Sequence, residues 1–238
     1  DCFAIAIEAF RLAVRCMCPA IILSDGFIAN GAEPWQIPDI DSIEPIVVDH
    51  PTVTNNPDGP GSAFLPYMRN PETLARPWAI PGTPGLEHRL GGLEKQDVTG
   101  NISYDPENHE HMVRLRAEKV QRAADVIPPL TVNGPESGEV LMLGWGGTYG
   151  AITTAANALR AEGLSVSSAH LRYLNPMPSN LGDVLKRFRH VVIPEINLGQ
   201  LRMLIRATYL VDAIGINHVR GRTFQVDELK AEVRALLS

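Results

Sequence analysis

From residue 138 to its end, this chain alternates short apolar runs with helices that are apolar on one face only, and this pattern limits its fold more than any other feature. Residues 140–143 read as a buried strand. Behind them Ile152, Ala155, Ala156 and Leu159 recur at i, i+3, i+4 and i+7, one face of a helix that Gly163 ends. The unit repeats: residues 164–171 read as a strand before Leu181, Val184, Leu185 and Phe188, and residues 191–193 before Leu201, Leu204, Ile205 and Thr208. Residues 213–219 and a helix over 226–237, with Leu229, Val233, Leu236 and Leu237 inward, complete the series. Strands apolar on both faces need cover from both sides, so βα units of this length predict an α/β domain with a parallel sheet and right-handed crossovers.

The first half is organised differently. The chain opens without Met, directly in a helical pattern whose charges Glu8, Arg11 and Arg15 form one narrow stripe. Such a helix is expected to be nearly surrounded by protein. Ala20-Ile21-Ile22-Leu23 then reads as a strand covered on both faces. A single helix and strand cannot cover each other, so the expectation is a fragment whose remaining sheet lies upstream of Asp1. Between Pro34 and Pro84 stand 11 of the 19 prolines, which largely excludes regular structure. Phe64, Leu65, Tyr67, Trp78 and Ile80 make this stretch too apolar for a solvated linker, and it is expected to wrap a domain surface. Asp105-Pro106, an N-cap acid before proline at the first helical position, starts a helix running to about Ala124.

Bulk properties exclude several classes. A net charge of -6 with no basic block argues against nucleic acid as a partner. No apolar run approaches the roughly 18 residues of a membrane span, and there is no signal-peptide pattern, so a cytoplasmic location is expected. Three cysteines, Cys2, Cys16 and Cys18, cannot build a disulfide framework and fall short of the four thiolates of an iron-sulfur site. Cys16 and Cys18 read as buried residues ending a helix, or as two ligands of a site completed by another chain. His109 and His111, two apart on a helix, point away from each other, and no zinc spacing, P-loop or catalytic triad is visible. No metal ligands and no catalytic residues are assigned.

Three places remain as candidates. The turn from Gly144 to Gly150 joins a strand to a helix, where phosphate could meet backbone N–H groups. The dinucleotide fingerprint fails there twice: Tyr149 stands where its third glycine belongs, and the second strand ends in His170-Leu171-Arg172-Tyr173 instead of an acid. A tight turn accounts for the glycines. After the third strand, Asn197 is placed to cap a helix from Leu198 with Gln200 reaching back, and Glu195 to sit beside that helix N-terminus. On this reading Asn197→Asp should cost less than Asn197→Ala. Asp25 and Asn30 leave the first apolar run at the edge where α/β sheets bind ligands and are the best polar candidates for a cofactor site. Asp-Gly and Asn-Gly are also ordinary turn pairs.

Three segments together resemble one family. Leu23-Ser24-Asp25-Gly26-Phe27-Ile28-Ala29-Asn30-Gly31-Ala32-Glu33-Pro34-Trp35 resembles the end of the thiamine-diphosphate pyrimidine domain in 2-oxoacid:ferredoxin oxidoreductase α subunits. Asp105-Pro106-Glu107-Asn108-His109-Glu110, with Gly85-Leu86-Glu87-His88 before it, resembles the 2-oxoglutarate branch. Asn175-Pro176-Met177-Pro178 and the run from Val192 to Leu201 resemble the transketolase C-terminal-like domain of the same subunits. The resemblance implies a C-terminal portion of such a subunit: a pyrimidine-domain remnant over 1–35, a Pro-rich connection with one helix over 36–125, and a transketolase C-terminal-like domain over 126–238. It implies oxidative decarboxylation of a 2-oxoacid with coenzyme A, giving acyl-CoA and reduced ferredoxin, in a hetero-oligomer with a β subunit. Thiamine diphosphate, magnesium and an iron-sulfur cluster belong to the complete complex, held mainly by the β subunit, and this chain alone is expected to bind none and to be inactive. The rival readings are a nucleotide-binding oxidoreductase domain using the glycine turn and a ligand-free structural assembly module.

Because the fingerprint fails at Tyr149 and at the end of the second strand, titration calorimetry is expected to find no micromolar NAD site. Such a site, lost in Gly146→Val, would contradict this.

Overall fold

A computed structural model describes all 238 residues, which form two compact units: Asp1–Ile22 with Trp35–Val126, and Leu23–Pro34 with Ile127–Ser238. The sequence grouped 1–35 together. In the structure, residues 23–34 belong instead with the C-terminal half.

In the first unit, α1 (Cys2–Cys16) ends in a left-handed Met17, whose carbonyl accepts 2.7 Å from Lys119 Nζ. Phe3 and Phe10 are exposed, so this helix is less enclosed in this chain than its narrow charged stripe predicts. Cys16 is buried and burial pushes its thiol pKa up, with Cys18 adding to the effect. The expected strand at residues 20–23 is absent and Ile21 and Leu23 are 82% and 63% exposed. A strand needs a hydrogen-bonded neighbour, and no strand of this chain pairs with these residues. The Pro-rich stretch buries Phe64, Leu74 and Leu86 and is tied by two isolated bridges, Tyr67 to Val98 and Lys95 to Ile102. The helix that follows α2 (Gly26–Ala29) is α3 (Pro106–Arg122), started by Asp105 as expected, its carboxylate accepting from Glu107 N–H. His109 and His111 do point apart, each to its own carboxylate: Nδ1 of His109 lies 2.7 Å from Glu94 and Nε2 of His111 lies 2.8 Å from Asp97. Asp97 also pairs with Arg69.

The second unit carries a mixed five-stranded sheet in the order β1-β3-β2-β4-β5, where β1 is Val132–Asn133, β2 Gly138–Trp145, β3 Val166–Leu171, β4 Phe188–Glu195 and β5 Ile214–Asn217. All neighbours are parallel except β1, which runs antiparallel to β3. A two-residue edge strand next to prolines leaves no period-2 signal, so it was not legible beforehand. The buried run of β2 divides by alternation. Leu141 and Leu143 pack with α5 (Leu181–Leu185) and α6 (Gln200–Tyr209) on one face. Val140 and Met142 pack with α4 (Tyr149–Ala161) and α7 (Val226–Leu237) on the other. Two helix boundaries differ from expectation: Phe188 opens β4, opposite Gly138, so α5 is a short turn of helix, and α6 begins at Gln200 with Leu204 49% exposed.

The carboxylates at 94 and 97 generate a prediction. Glu94 is held below its usual range first by hydrogen bonds from Arg116 and His109. For Asp97, burial pushes upward most strongly, but bonds from His111 and Val98 N–H, with Arg69, together carry it lower. Groups depressed in the folded state bind fewer protons than in the unfolded chain, so their stabilisation is full at neutral pH and fades as pH falls through the folded pKa. Asp97→Asn should cost about 1 to 2 kcal/mol at pH 7, since the aspartate is partly exposed, and should flatten the loss of stability in acid. Urea melts at pH 7 and pH 3 check both; an unchanged acid slope would contradict it.

Candidate functional site

Parallel strands aim their carboxyl ends at one edge of the sheet, and ligands of α/β folds collect where neighbouring strands send their connections opposite ways. Here β2 leads through α4 to β3 on one side, while β4 leads through α6 to β5 on the other. The crevice therefore lies between the turns after Trp145 and Glu195.

Glu195 fills it. Its side chain is fully buried and accepts four hydrogen bonds: from Leu201 N–H at 2.8 Å, Arg202 N–H at 3.1 Å, Trp145 Nε1 at 3.2 Å and Asn197 Nδ2 at 3.2 Å. The carboxylate thus caps α6 directly, answering N–H groups that a helix start leaves without partners, and ties that start to the end of β2. Asn197, expected at the N-cap, stands two residues before it, because Gly199 takes that position. Its Oδ1 accepts from Gly199 N–H at 2.7 Å and Gln200 N–H at 3.3 Å, forming the turn that leads into the helix, and Asn217 Nδ2 donates to its carbonyl at 3.1 Å.

Next to this crevice, the glycine turn is occupied as well. Asp25 caps α2 by accepting from Ile28 N–H at 2.9 Å through Oδ1, while its buried Oδ2 has no hydrogen-bond partner. That carboxylate lies on Gly147 so closely that a Cβ there would overlap it. Gly144 is equally constrained, because a Cβ would overlap Ile152 on α4. Both glycines thus serve close approach. Asn30, the other sequence candidate, is exposed and spends its amide on the Gly26 carbonyl at 2.8 Å, closing α2. The structure brings Asp25 to the glycine turn and leaves Asn30 at the end of a four-residue helix.

His170 is a site residue that sequence reasoning missed. It ends β3 but one, stacks edge-on against Tyr149 with ring centroids 5.1 Å apart, and has a buried Nδ1 without a partner. Burial, and secondarily Arg172, lower its pKa to about 4, so the imidazole is neutral at physiological pH. A strand-end histidine carries no sequence signal for such burial. For the implied metals the fit is poor: no three His, Cys, Asp or Glu side chains converge anywhere, and Asp25 Oδ2 is the carboxylate atom at this edge with acceptor capacity to spare. No helix is long and apolar enough to cross a membrane.

Residues 1–105 match the family described as pyruvate flavodoxin/ferredoxin oxidoreductase, thiamine diphosphate-binding, which extends well past Trp35. Over its full length the chain is 50% identical to the 2-oxoglutarate oxidoreductase subunit KorA of Mycobacterium tuberculosis, covering 35% of that protein. It is 32% identical to the α subunit of 2-oxoacid:ferredoxin oxidoreductase 1 of Aeropyrum pernix, with 86% of this chain and 32% of that one aligned. The 2-oxoglutarate:ferredoxin oxidoreductase of Magnetococcus marinus, solved with 2-oxoglutarate, coenzyme A and succinyl-CoA bound, matches all of this chain and 41% of its own, with TM-score 0.88 and 29% identity. The chain spans about a third of the length of the first two relatives. These relatives are 2-oxoglutarate or 2-oxoacid oxidoreductase proteins, and the one from Aeropyrum pernix is named an α subunit.

The Glu195 geometry reverses one expectation. Asn197→Asp would turn a donor toward the buried Glu195 into a second carboxylate facing it, so it should now destabilise more than Asn197→Ala, itself costing about 1 kcal/mol. Glu195→Gln, which sets an amide N–H₂ against groups that already donate, should cost about 3 kcal/mol. Chemical denaturation of the three variants checks the order; a milder Asp than Ala variant would contradict it.

Proposed function

We propose that this chain is the C-terminal part of the α subunit of a 2-oxoglutarate:ferredoxin oxidoreductase, a cytoplasmic hetero-oligomer in which it builds subunit structure and supplies no catalytic group. The observation that supports this reading is the similarity of the whole chain to part of a 2-oxoglutarate oxidoreductase subunit and to part of a 2-oxoglutarate:ferredoxin oxidoreductase, joined to a sheet edge whose polar groups are mostly engaged with one another. In the complete complex the reaction is the oxidative decarboxylation of 2-oxoglutarate with coenzyme A, passing electrons through an iron-sulfur centre to ferredoxin. Thiamine diphosphate, when bound with magnesium by the assembled subunits, supplies the carbanion chemistry.

What these residues contribute is position. Glu195 and Trp145 hold the two turns that border the crevice, and the Asp25 carboxylate lies against the glycine turn at Gly147. Asp25 Oδ2 is the acceptor best placed to meet a cofactor or a partner's donor, and Asn30 stands at the opposite end of the same short helix. Pyrimidine-domain character over 1–35, a Pro-rich connection over 36–125 and a transketolase C-terminal-like domain over 126–238 belong to the same proposal. The nucleotide-binding alternative loses support from Asp25, since a carboxylate against Gly147 repels phosphate at that turn.

The test is CoA-dependent reduction of a ferredoxin substitute by 2-oxoglutarate. The 238-residue chain alone is expected to give no turnover, and the complete α subunit with its β subunit to give it. Turnover by this chain alone would overturn the proposal.

A further inference from the structure

Within the first unit, two of the three cysteines meet at the end of α1, where Cys16 closes the helix and Met17 and Cys18 follow. On a continuing helix, positions two apart face away from each other, as His109 and His111 do on α3. Met17 breaks that rule. Its backbone is left-handed, with φ 48° and ψ 50°, a conformation that side-chain-bearing residues avoid, and its N–H and that of Cys18 both return to the Ala13 carbonyl. The turn brings the two side chains together: Cys18 adds to the upward push that burial gives the Cys16 thiol, through its charge and through a hydrogen bond between the thiols.

With fixed bond geometry, the distance between Cα atoms on either side of one residue depends only on that residue's φ and ψ. A left-handed Met17 therefore gives the helical spacing in mirror image, about 5.4 Å. Disulfides bridge Cα atoms roughly 4.4 to 6.8 Å apart, so this backbone suits a bond between the two sulfurs. The sulfurs themselves differ. Cys16 is buried with its pKa raised, so at neutral pH it keeps its proton. Cys18 is partly exposed and stands beside the Lys119 ammonium: burial lowers the pKa of Lys119 most, and the charge of Cys18 opposes this more than that of Cys16 does. An oxidant arriving from solvent reaches Cys18 first, at a place where a cation balances negative sulfur. Lys119 also donates to the Met17 carbonyl at 2.7 Å, and that carbonyl belongs to the ring that a Cys16–Cys18 bond would close. Cys2, at the far end of α1, is roughly 20 Å away along the helix and takes no part.

We propose that Cys16 and Cys18 are a reversible dithiol–disulfide pair oxidised by hydrogen peroxide, with Cys18 as the attacking and Cys16 as the resolving thiol. The Cys18 thiolate attacks one peroxide oxygen, the O–O bond breaks, and the departing hydroxide takes up the proton that Cys18 gave up, leaving as water and a sulfenic acid. The Cys16 sulfur then attacks the Cys18 sulfur, its proton goes to the departing hydroxyl, and a second water leaves as the S–S bond forms. The two thiols give up two electrons, which the peroxide accepts, and exchange with an external dithiol returns the pair to its reduced state.

The experiment uses the folded chain with Cys2→Ser, which leaves the pair alone, and follows its thiols and the mass of the peptide carrying both. A small excess of hydrogen peroxide should remove both thiols together and lower that mass by two hydrogens, and dithiothreitol should restore them. In a glutathione redox buffer the folded chain should form the disulfide at a ratio roughly tenfold more reducing than the urea-unfolded chain needs, because the left-handed turn is lost on unfolding. Cys16→Ser should stop at a Cys18 sulfenic acid, trapped by dimedone, whereas Cys18→Ser should leave Cys16 about tenfold slower to react. Circular dichroism checks folding, and Cys16→Ala and Cys18→Ala serve where a serine variant does not fold. Disulfides formed only between chains, oxidation of Cys18 beyond the sulfenic acid with Cys16 still a free thiol, or the same glutathione ratio for folded and unfolded chains, would overturn the proposal.

Discussion

The buried carboxylate of Glu195 is the interaction on which the C-terminal sheet edge depends. A helix that starts at the end of a buried strand presents N–H groups with no partner and no water, and leaving them so costs about 1 to 3 kcal/mol each. Glu195 answers two of them from α6 and, with its remaining acceptor capacity, takes the Trp145 indole and the Asn197 amide. One side chain thereby joins β2, β4 and α6. The crevice that other α/β proteins offer to a ligand is, in this chain, a hydrogen-bonded joint.

That joint explains how the chain relates to the chemistry of its relatives. A catalytic carboxylate must exchange partners during a reaction, whereas every oxygen of Glu195 is committed to a fixed donor. Asp25 differs, because one of its oxygens caps α2 by accepting from Ile28 N–H and the other is buried without a donor. A buried acceptor left open is costly alone and useful once a donor arrives. The two acids, both in the second unit, thus divide into a structural one and one with something left to bind.

The α/β character of the C-terminal half was legible because its helices are strongly one-sided and its strands are buried on both faces. The start of α3 was legible through Asp105 and Pro106, whose cap geometry is local. What could not be read arose from contacts distant in sequence. Residues 20–23 have strand composition but no strand of this chain beside them, and pairing is not encoded in the run itself. Phe188 continued a helical period yet opened β4, since at a helix-to-strand junction the same inward position satisfies both periods. Asn197 and Glu195 were both singled out, but which of them capped the helix depended on a left-handed Gly199 that delays α6 to Gln200. His170 and the contact of Asp25 with Gly147 were invisible, because burial and a separation of more than a hundred residues leave no local pattern.

Hydrogen exchange measures the central claim most directly, because it reads each donor of the joint separately. If Glu195 locks the crevice, the amides of Leu201 and Arg202 and the indole N–H of Trp145 exchange only through the global unfolding of this unit, as slowly as the core amides of β2 and β4. Exchange of these three groups at the rate of open loops, with the β2 and β4 amides still protected, would contradict the account and return this edge to the list of mobile ligand sites.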